Sequence, residues 1–373
     1  MNQPTTQPLK VGIIGGGFMA RTHTRAARAA GAQVVSVLSS RPERSVAAAA
    51  ALGIDHAAAT LDELLERVDV VHVCSPNATH AGHARAVLEA GKHVVCEKPL
   101  AIAPEEAAEL VDLASRAGVT AAVPFIYRFH PMARQARHEA AGGGIGRLLT
   151  VRGDYLQDWM LLERDSDWRV DPTVGGPSRA FADVGSHLVD LLEFVAGERI
   201  MKVNARLGIA HPTRGGRPVQ TEDAAVCIVE MEGGAIGSLM VSQVNAGRKN
   251  ALTLELGGTN GSVVFDQEHP DELWLGGRNG STTLSRDAPS NVEDAVRLSV
   301  VPAGHPMGYL DAFNAFVLDT YAAIAGGAPA GLPTFADGLR AAILTSAVLE
   351  SSRSNSWVDV STVSDRADVQ HIL

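Results

Sequence analysis

Between Leu9 and Pro124, short apolar runs take turns with helix-forming stretches, and this alternation leaves few folds open. The runs "KVGIIG", "QVVSVLSS", "DVVHVCSP", "KHVVCEKP" and "VTAAVPF" are nearly continuous in apolar residues, the pattern of strands buried on both faces. The stretches between them, among them "ARTHTRAARAAG", "PERSVAAAAALG", "LDELLERV", "THAGHARAVLEAG" and "APEEAAELVDLASRAG", read as helices, several closed by glycine. A strand that reaches the next strand through a helix needs a parallel crossover. This half is therefore expected to be an α/β doubly wound parallel sheet. A chain of 373 residues exceeds one average core. The expected division is a dinucleotide-binding unit over 1–124 and a substrate-binding and oligomerisation unit over 125–373.

Beyond Tyr127 the rhythm changes. A helix runs to about Ala141, and the glycine-rich "AGGGIG" leads into the strand "RLLTVRGDYLQ". Later strands are "KVNARLGIA", "AAVCIVEME", "AIGSLMVSQV", "ALTLELGG", "GSVVFD" and "ELWLGG", with turn signals at Glu232 to Gly234 and Thr259 to Gly261. Links of hairpin length impose antiparallel pairing, so an α+β unit around an open, mainly antiparallel sheet is expected. In "AIGSLMVSQV" the alternation puts Ile236, Ser238, Met240 and Ser242 on one face and Gly237, Leu239, Val241 and Gln243 on the other. Both faces are partly apolar. The outer one is expected to be covered by a second copy, giving a homo-oligomer, a dimer or tetramer.

Several function classes drop out on composition. A net charge of −10 argues against a nucleic-acid partner, since neutralising phosphates takes a basic surface. No apolar run reaches the length of a membrane span, and "MNQPTTQPLK" lacks the apolar core of a signal peptide. Cys74, Cys96 and Cys227 are odd in number, widely spaced and free of zinc-site spacing. A cytoplasmic protein without a metal centre and without a membrane partner is expected.

The first strand-to-helix turn carries the cofactor signal, Gly15-x-Gly17-x-x-Ala20 within "VGIIGGGFMARTHTRA". Gly15 allows the tight turn, Gly17 lets the backbone approach a pyrophosphate, and Ala20 lets helix and strand pack closely. Phe18 and Met19 open the helix whose amides face the phosphates. At the end of the second strand an NAD site usually places a carboxylate on the ribose hydroxyls. Here Ser39, Ser40 and Arg41 stand, with Arg44 a turn later and Glu43 already in the helix. Hydroxyls and guanidinium groups suit a 2′-phosphate, so NADP is favoured, with NAD possible. Ser75, Pro76, Asn77 and His80 follow the next strand, and Glu97 and Lys98 the one after, all at the carboxyl edge where such sheets bind ligands. Pro99 keeps Lys98 extended or in a turn, and a proline is the ordinary place for a cis bond.

The second half of the chemistry lies in "FADVGSHLVDLLEF". Asp183, His187 and Asp190 are spaced for one helix face. Oxidising a secondary alcohol requires loss of the hydroxyl proton as the hydride leaves. His187 is the candidate base, Lys98 the donor to the reacting oxygen, and Asp183 the group that orients substrate or lysine. Asp190 is expected to fix the imidazole or the helix.

Taken in order, "GIIGGGFMA", "CSPNATHAGHARAVLEAGKHVVCEKPLA", "PFIYRFHP", "DWRVDP", "FADVGSHLVDLLEF" and "GHPMGYLDAF" resemble the glucose–fructose oxidoreductase / inositol dehydrogenase family, often called Gfo/Idh/MocA. The resemblance implies a Rossmann domain plus a domain with an open sheet. It also implies Lys98 beside the nicotinamide, with Asp183 and His187 at a sugar or cyclitol substrate. Tyr127, Arg128, Trp168 and His305 fall in these motifs as substrate-side candidates. "GDYLQDW" looks like the matching segment of pyranoside dehydrogenases of the levoglucosan type, which adds Tyr155, Gln157, Asp158 and Trp159. Ile126 and Arg179 stand where the family pattern is usually different. The expected activity is an NAD(P)-dependent sugar or cyclitol dehydrogenase. The rivals are a glycosidase that uses oxidation transiently and a non-catalytic dinucleotide-dependent sensor.

Overall fold

The computed structural model describes residues 7–366. Six parallel strands form the first sheet: β1 (Lys10–Ile14), β2 (Gln33–Leu38), β3 (His56–Ala57), β4 (Val70–Val73), β5 (His93–Cys96) and β6 (Ala121–Ala122), in the order β3-β2-β1-β4-β5-β6. Their valines and isoleucines are buried on both faces, which is why the sequence shows unbroken apolar runs. Helices α1 (Phe18–Ala29), α2 (Pro42–Leu52), α3 (Leu61–Leu65), α4 (His80–Glu89) and α5 (Pro104–Ala117) make the crossovers. Helices α2 and α5 begin on proline, whose fixed φ and missing N–H suit a first turn. The strand order reverses between β1 and β4, so the loops after these strands diverge and leave a crevice at the carboxyl edge.

The second sheet has nine strands in the order β16-β15-β14-β13-β7-β12-β11-β8-β17. They are β7 (Leu148–Leu156), β8 (Ile200–Gly208), β11 (Ala224–Met231), β12 (Ile236–Ser242), β13 (Ala251–Gly258), β14 (Ser262–Asp266), β15 (Glu272–Gly277), β16 (Gly280–Ser285) and β17 (Val358–Asp359). Two short strands, β9 (Thr213–Arg214) and β10 (Arg217–Pro218), form a separate ribbon. The hairpin-linked neighbours pair antiparallel, as the short links require. One pair, β7 with β12, is parallel. The link from β12 to β13 is longer than a hairpin turn, and β7 occupies the space between those two strands.

Helices α6 (Pro131–Ala141), α8 (Ser186–Ala196) and α11 (Phe335–Ser354) pack on the inner face, where Leu252, Leu254 and Leu256 are buried. On the outer face Val226, Ile228, Ile236 and Trp274 are exposed, interleaved with Lys202, Glu230, Arg152 and Glu255. Three short helices complete the described chain: α7 (Pro172–Gly175), α9 (Glu293–Leu298) and α12 (Val360–Arg366). The long helix α10 (Tyr309–Ile324) rests on α1, and α11 also rests on α5. Val123 N–H donates to Pro333 O at 3.2 Å, so the late helices are tied back to the last strand of the parallel sheet. Among the described residues no helix is long and apolar enough to cross a membrane.

Candidate active site

The crevice at the strand reversal opens into a cleft of about 1300 Å³ that runs from the β1–α1 turn to the inner side of the second sheet. That exceeds an ordinary small-molecule pocket and leaves room for a dinucleotide and a second ligand. Gly15 has φ +121°, and a Cβ there would stand 2.5 Å from Cys74 O, so the turn excludes any side chain. A Cβ on Gly17, by contrast, would meet nothing within 4 Å, which leaves the first amides of α1 open to a ligand. Ala20 is fully buried behind the turn. Phe18 and Met19 line the cleft with both glycines. A glycine cradle opening onto a helix N-terminus fits a pyrophosphate.

At the end of β2 the lining residues are Ser39, Ser40 and Arg44, whose Nη1 donates to Ser40 Oγ at 3.3 Å. Arg41 does not line the cleft. It is the N-cap of α2, while Arg44, on the first helical turn, is in the lining. Ser75, Pro76, Asn77 and His80 line the next loop. Asn77 Nδ2 donates to Gly175 O at 2.9 Å, joining this loop to the other half of the molecule. Both ring nitrogens of His80 face carbonyl oxygens, Pro99 O at 2.8 Å and Ser75 O at 2.7 Å. Glu97 and Lys98 line the cleft at the end of β5, and the Lys98–Pro99 bond is cis.

Lys98 Nζ donates to Asp183 Oδ1 at 2.6 Å and to Asp183 O at 3.0 Å, leaving one N–H for a ligand oxygen. The second carboxylate oxygen of Asp183 accepts from Gln243 Nε2 at 2.9 Å, and Arg169 Nε lies 3.8 Å from the first. Burial pushes the Asp183 carboxyl up, but Lys98 and Arg169 overcome it and hold it at about 2. Asp183 sits in a π turn, Phe181–Gly185, that runs into α8, where His187 follows. His187 lines the cleft between the rings of Tyr127 and Phe125, with centroids 5.1 Å and 5.7 Å away. Burial, then the Lys98 charge, pushes its pKa down to about 3, so the ring is neutral near pH 7. Its Nδ1 is buried without a partner, which leaves Nε2 as the nitrogen a ligand can reach. A neutral imidazole, an ammonium with one spare donor and an ionised carboxylate thus meet at one wall.

The lining beside His187 is polar and uncharged. The hydroxyls of Tyr127 and Tyr155 lie 2.5 Å apart, and Asn250 Oδ1 accepts from Tyr155 at 2.7 Å and from Gln157 Nε2 at 2.8 Å. Burial pushes both phenols up, so they remain protonated. Trp168 also lines the cleft, with the Arg169 guanidinium over its ring at 4.3 Å.

Four further expected substrate ligands lie outside the lining. Arg128 is turned into the protein, donating to Asp190 from Nε at 2.8 Å and from Nη2 at 2.5 Å, and to Asp337 at 2.7 Å. Asp190 accordingly holds Arg128 rather than the imidazole. Asp158 is held by Lys249 Nζ at 2.7 Å and the Gly247 amide at 3.0 Å. Trp159 reaches the site only through Gln157, donating to its Oε1 at 2.8 Å. His305 is exposed, and its carbonyl accepts from Arg286.

Sequence reasoning passed over Arg169, Gln243, Asn250 and Tyr309. Gln243 left a trace: strand alternation places it on the inward face with Leu239 and Val241, where a polar side chain needs a partner. Arg169 stood inside the quoted "DWRVDP" without a role. Tyr309 likewise stood inside the quoted "GHPMGYLDAF" without a role, and nothing local marks Asn250, which reaches the cleft through the tertiary fold.

Comparison with known proteins gives a consistent picture. A family model described as an oxidoreductase family with an NAD-binding Rossmann fold matches residues 9–125, and the GFO/IDH/MocA C-terminal domain model matches residues 133–264. The levoglucosan dehydrogenase of Pseudarthrobacter phenanthrenivorans is 33% identical, over 96% of this chain and all of that protein. A solved levoglucosan dehydrogenase in complex with NADH and levoglucosan has a TM-score of 0.87 at 33% identity, covering 95% of this chain and 99% of that one. An inositol dehydrogenase homolog from Azotobacter vinelandii complexed with NAD+ has a TM-score of 0.88 at 27% identity, over 96% and 98%.

Proposed function

The chain belongs to the Gfo/Idh/MocA oxidoreductase family, and on that premise we propose that it is a dehydrogenase acting on a secondary hydroxyl of an uncharged sugar or cyclitol. The observation that carries this reading is the Lys98–Asp183 contact of 2.6 Å beside His187, at the inner end of a glycine-cradled cleft. A nicotinamide dinucleotide, when bound, supplies the hydride acceptor. Lys98 directs its remaining N–H at the reacting oxygen and stabilises negative charge there. His187 Nε2 takes the hydroxyl proton. Asp183 holds the ammonium in place, and Gln243 holds Asp183.

The substrate class follows from the uncharged lining beside His187. Tyr127, Tyr155, Gln157 and Asn250 offer donors and acceptors suited to hydroxyls. The cations of the cleft's inner end, Lys98 and Arg169, are each held by carboxylates, Asp183 and Asp167. That favours an unphosphorylated ligand, and levoglucosan is the substrate named for a relative. Ser39, Ser40 and Arg44 support NADP over NAD, since none of the residues lining the cleft at the end of β2 is acidic. The decisive experiment is a sugar, anhydrosugar and polyol panel with NAD and NADP in parallel, followed by absorbance of reduced cofactor. Absence of multiple-turnover reduction across the panel would sink the dehydrogenase reading. An Arg44→Ala variant should lose about tenfold in NADP affinity with little change for NAD; equal losses would remove the NADP preference.

The outer face of the nine-stranded sheet supports assembly into a dimer or tetramer. Its exposed Val226, Ile228 and Ile236 alternate with charges of both signs, as a surface that pairs with its own copy requires. Ile228→Glu should lower the mass seen by light scattering, whereas a parent that runs as a monomer at micromolar concentration would overturn the assembly. The free cysteines Cys74, Cys96 and Cys227 support a cytoplasmic location.

A further inference from the structure

Four buried polar side chains, Glu97 in the cleft lining and three behind it, have no part in the reaction just described. Glu97 Oε1 lies 3.0 Å from His23 Nε2, His23 Nδ1 lies 2.9 Å from His72 Nδ1, and His72 Nε2 lies 3.0 Å from the Tyr321 hydroxyl. They come from the residue after β5, from α1, β4 and α10, so the row crosses from the parallel sheet to the late helix that covers it. His23 and His72 are fully buried, and Glu97 and Tyr321 are nearly so.

Each contact in such a row needs one donor and one acceptor. A carboxylate only accepts, so an ionised Glu97 requires the proton of His23 on Nε2. His23 Nδ1 is then a lone pair, so His72 must carry its proton on Nδ1. His72 Nε2 is then a lone pair in turn, and the Tyr321 hydroxyl donates to it. Every donor points toward Glu97. The row has one other self-consistent arrangement with neutral rings, the full reversal, and that one needs a protonated Glu97. The remaining oxygen of Glu97 accepts the Lys98 amide at 3.2 Å, a bond that a carboxylate takes better than a carboxylic acid. Burial pushes Glu97 up, but the His23 bond, with Lys98 nearby, brings it below its ordinary value. Burial, then His23, pushes His72 well down, which keeps that ring neutral.

We propose that Tyr321, His72 and His23 are positioning residues that keep Glu97 a carboxylate in the cofactor cleft, and that this fixed charge tilts binding toward the oxidised, cationic nicotinamide over the reduced one. The proposal rests on the reading of the cleft as a nicotinamide site. Oxidised and reduced cofactors differ by one positive charge on the nicotinamide ring, so a fixed charge in the cleft acts on their difference. A general packing role would act on both alike. Donors already aligned inside the protein need no reorganisation when the ring's charge changes.

The test is binding rather than turnover. Dissociation constants for the oxidised and reduced forms of the preferred cofactor are measured by fluorescence titration for the parent, Glu97→Gln and Tyr321→Phe. Glu97→Gln should move the ratio of the two constants about tenfold toward the reduced form, the size of one charge contact at intermediate dielectric. Tyr321→Phe, which removes the terminal donor and keeps the carboxylate, should move it the same way by about twofold to threefold. Equal weakening of both forms, or an unchanged ratio, overturns the proposal. ¹⁵N histidine spectra of the parent provide a check that needs no variant. His23 should be the Nε2–H tautomer and His72 the Nδ1–H tautomer, and the reversed pair overturns the proposal because it means a protonated Glu97. A parent that binds neither form removes the nicotinamide reading itself and this proposal with it. A parent that binds both with a ratio indifferent to Glu97 removes only the proposal.

Discussion

Asp183 and Asp190 stand about two turns apart on one helical run, both are buried, and both are bonded to a cation, yet their carboxyl groups are pushed in opposite directions. At the cleft end, Lys98 and Arg169 outweigh burial and Asp183 falls to about 2. At the far end, burial outweighs Arg128, and the nearby carboxylates Asp337 and Glu193 add to it, so Asp190 is pushed up. A salt bridge alone therefore does not set a carboxylate's charge. What decides it is the balance of burial against all the charges within reach. At the cleft end Asp183 has two cations within reach and keeps a charge ready for chemistry. The far end shares one guanidinium between two carboxylates and serves to lock helices together.

The sharpest way to test this contrast is to remove the cation at each end. Lys98→Met should lower turnover about 10²- to 10³-fold while cofactor still binds, the loss typical of one preorganised donor. Steady-state kinetics with separate cofactor titration measures it, and near-parent turnover would erase the functional half of the contrast. Arg128→Met should instead leave turnover per folded molecule close to the parent and cost about 3 kcal/mol of stability in denaturant melts, because it strands two carboxylates. A variant as stable as the parent would mean that the far end locks nothing.

The smallest effect is in acid, and its sign differs between the ends. The folded pKa of Asp183 lies below the unfolded value near 4, so its stabilisation is present above pH 4 and lost as pH falls toward 2. Asp183→Asn should therefore lose about 2 kcal/mol less than the parent across that window. Asp190 is raised, so its contribution is present below its unfolded pKa and lost as pH rises. Asp190→Asn should gain on the parent as pH climbs from 4 toward neutrality. Urea melts at stepped pH decide both, and matching slopes for the two variants would collapse the distinction.

Much of the cleft end was legible before any coordinates, and the far end was not. Gly15, Gly17, Lys98, Asp183 and His187 are each announced by a local pattern: a glycine turn after a strand, a charged pair at a strand mouth, a carboxylate one turn before a histidine. The doubly wound half was legible for the same reason, since buried parallel strands write themselves as apolar runs. Asp190 stands one turn after the same histidine, and spacing alone joined it to His187. Only the approach of Arg128 and Asp337, distant in sequence, sends it elsewhere. Arg41 and Arg44 differ in the same way. Composition names a basic turn, but only the phase of α2 decides which guanidinium faces the cleft. The parallel placement of β7 beside β12 has no local mark either, because hairpin logic speaks only for strands joined by a short link.

That placement bears on how the chain comes to be folded. Strand β7 is pinned between β12 and β13: Thr150 lies opposite Ile236 on one side and Gly257 on the other. A ribosome adding roughly 5–20 residues per second finishes β7 on the order of ten seconds before either neighbour emerges. Over that interval Tyr155 and Gln157 have no sheet to hold them, and α8, carrying His187, has no layer to rest on. The parallel sheet, with its near neighbours in sequence, is free to form while synthesis continues. The parallel sheet is thus expected to form first, its α1 and α5 faces to be covered when α10 and α11 arrive, and the sugar half to close late. Mutations that slow closure around β7 should show as low yield of soluble protein in rapid expression, before they show as altered chemistry.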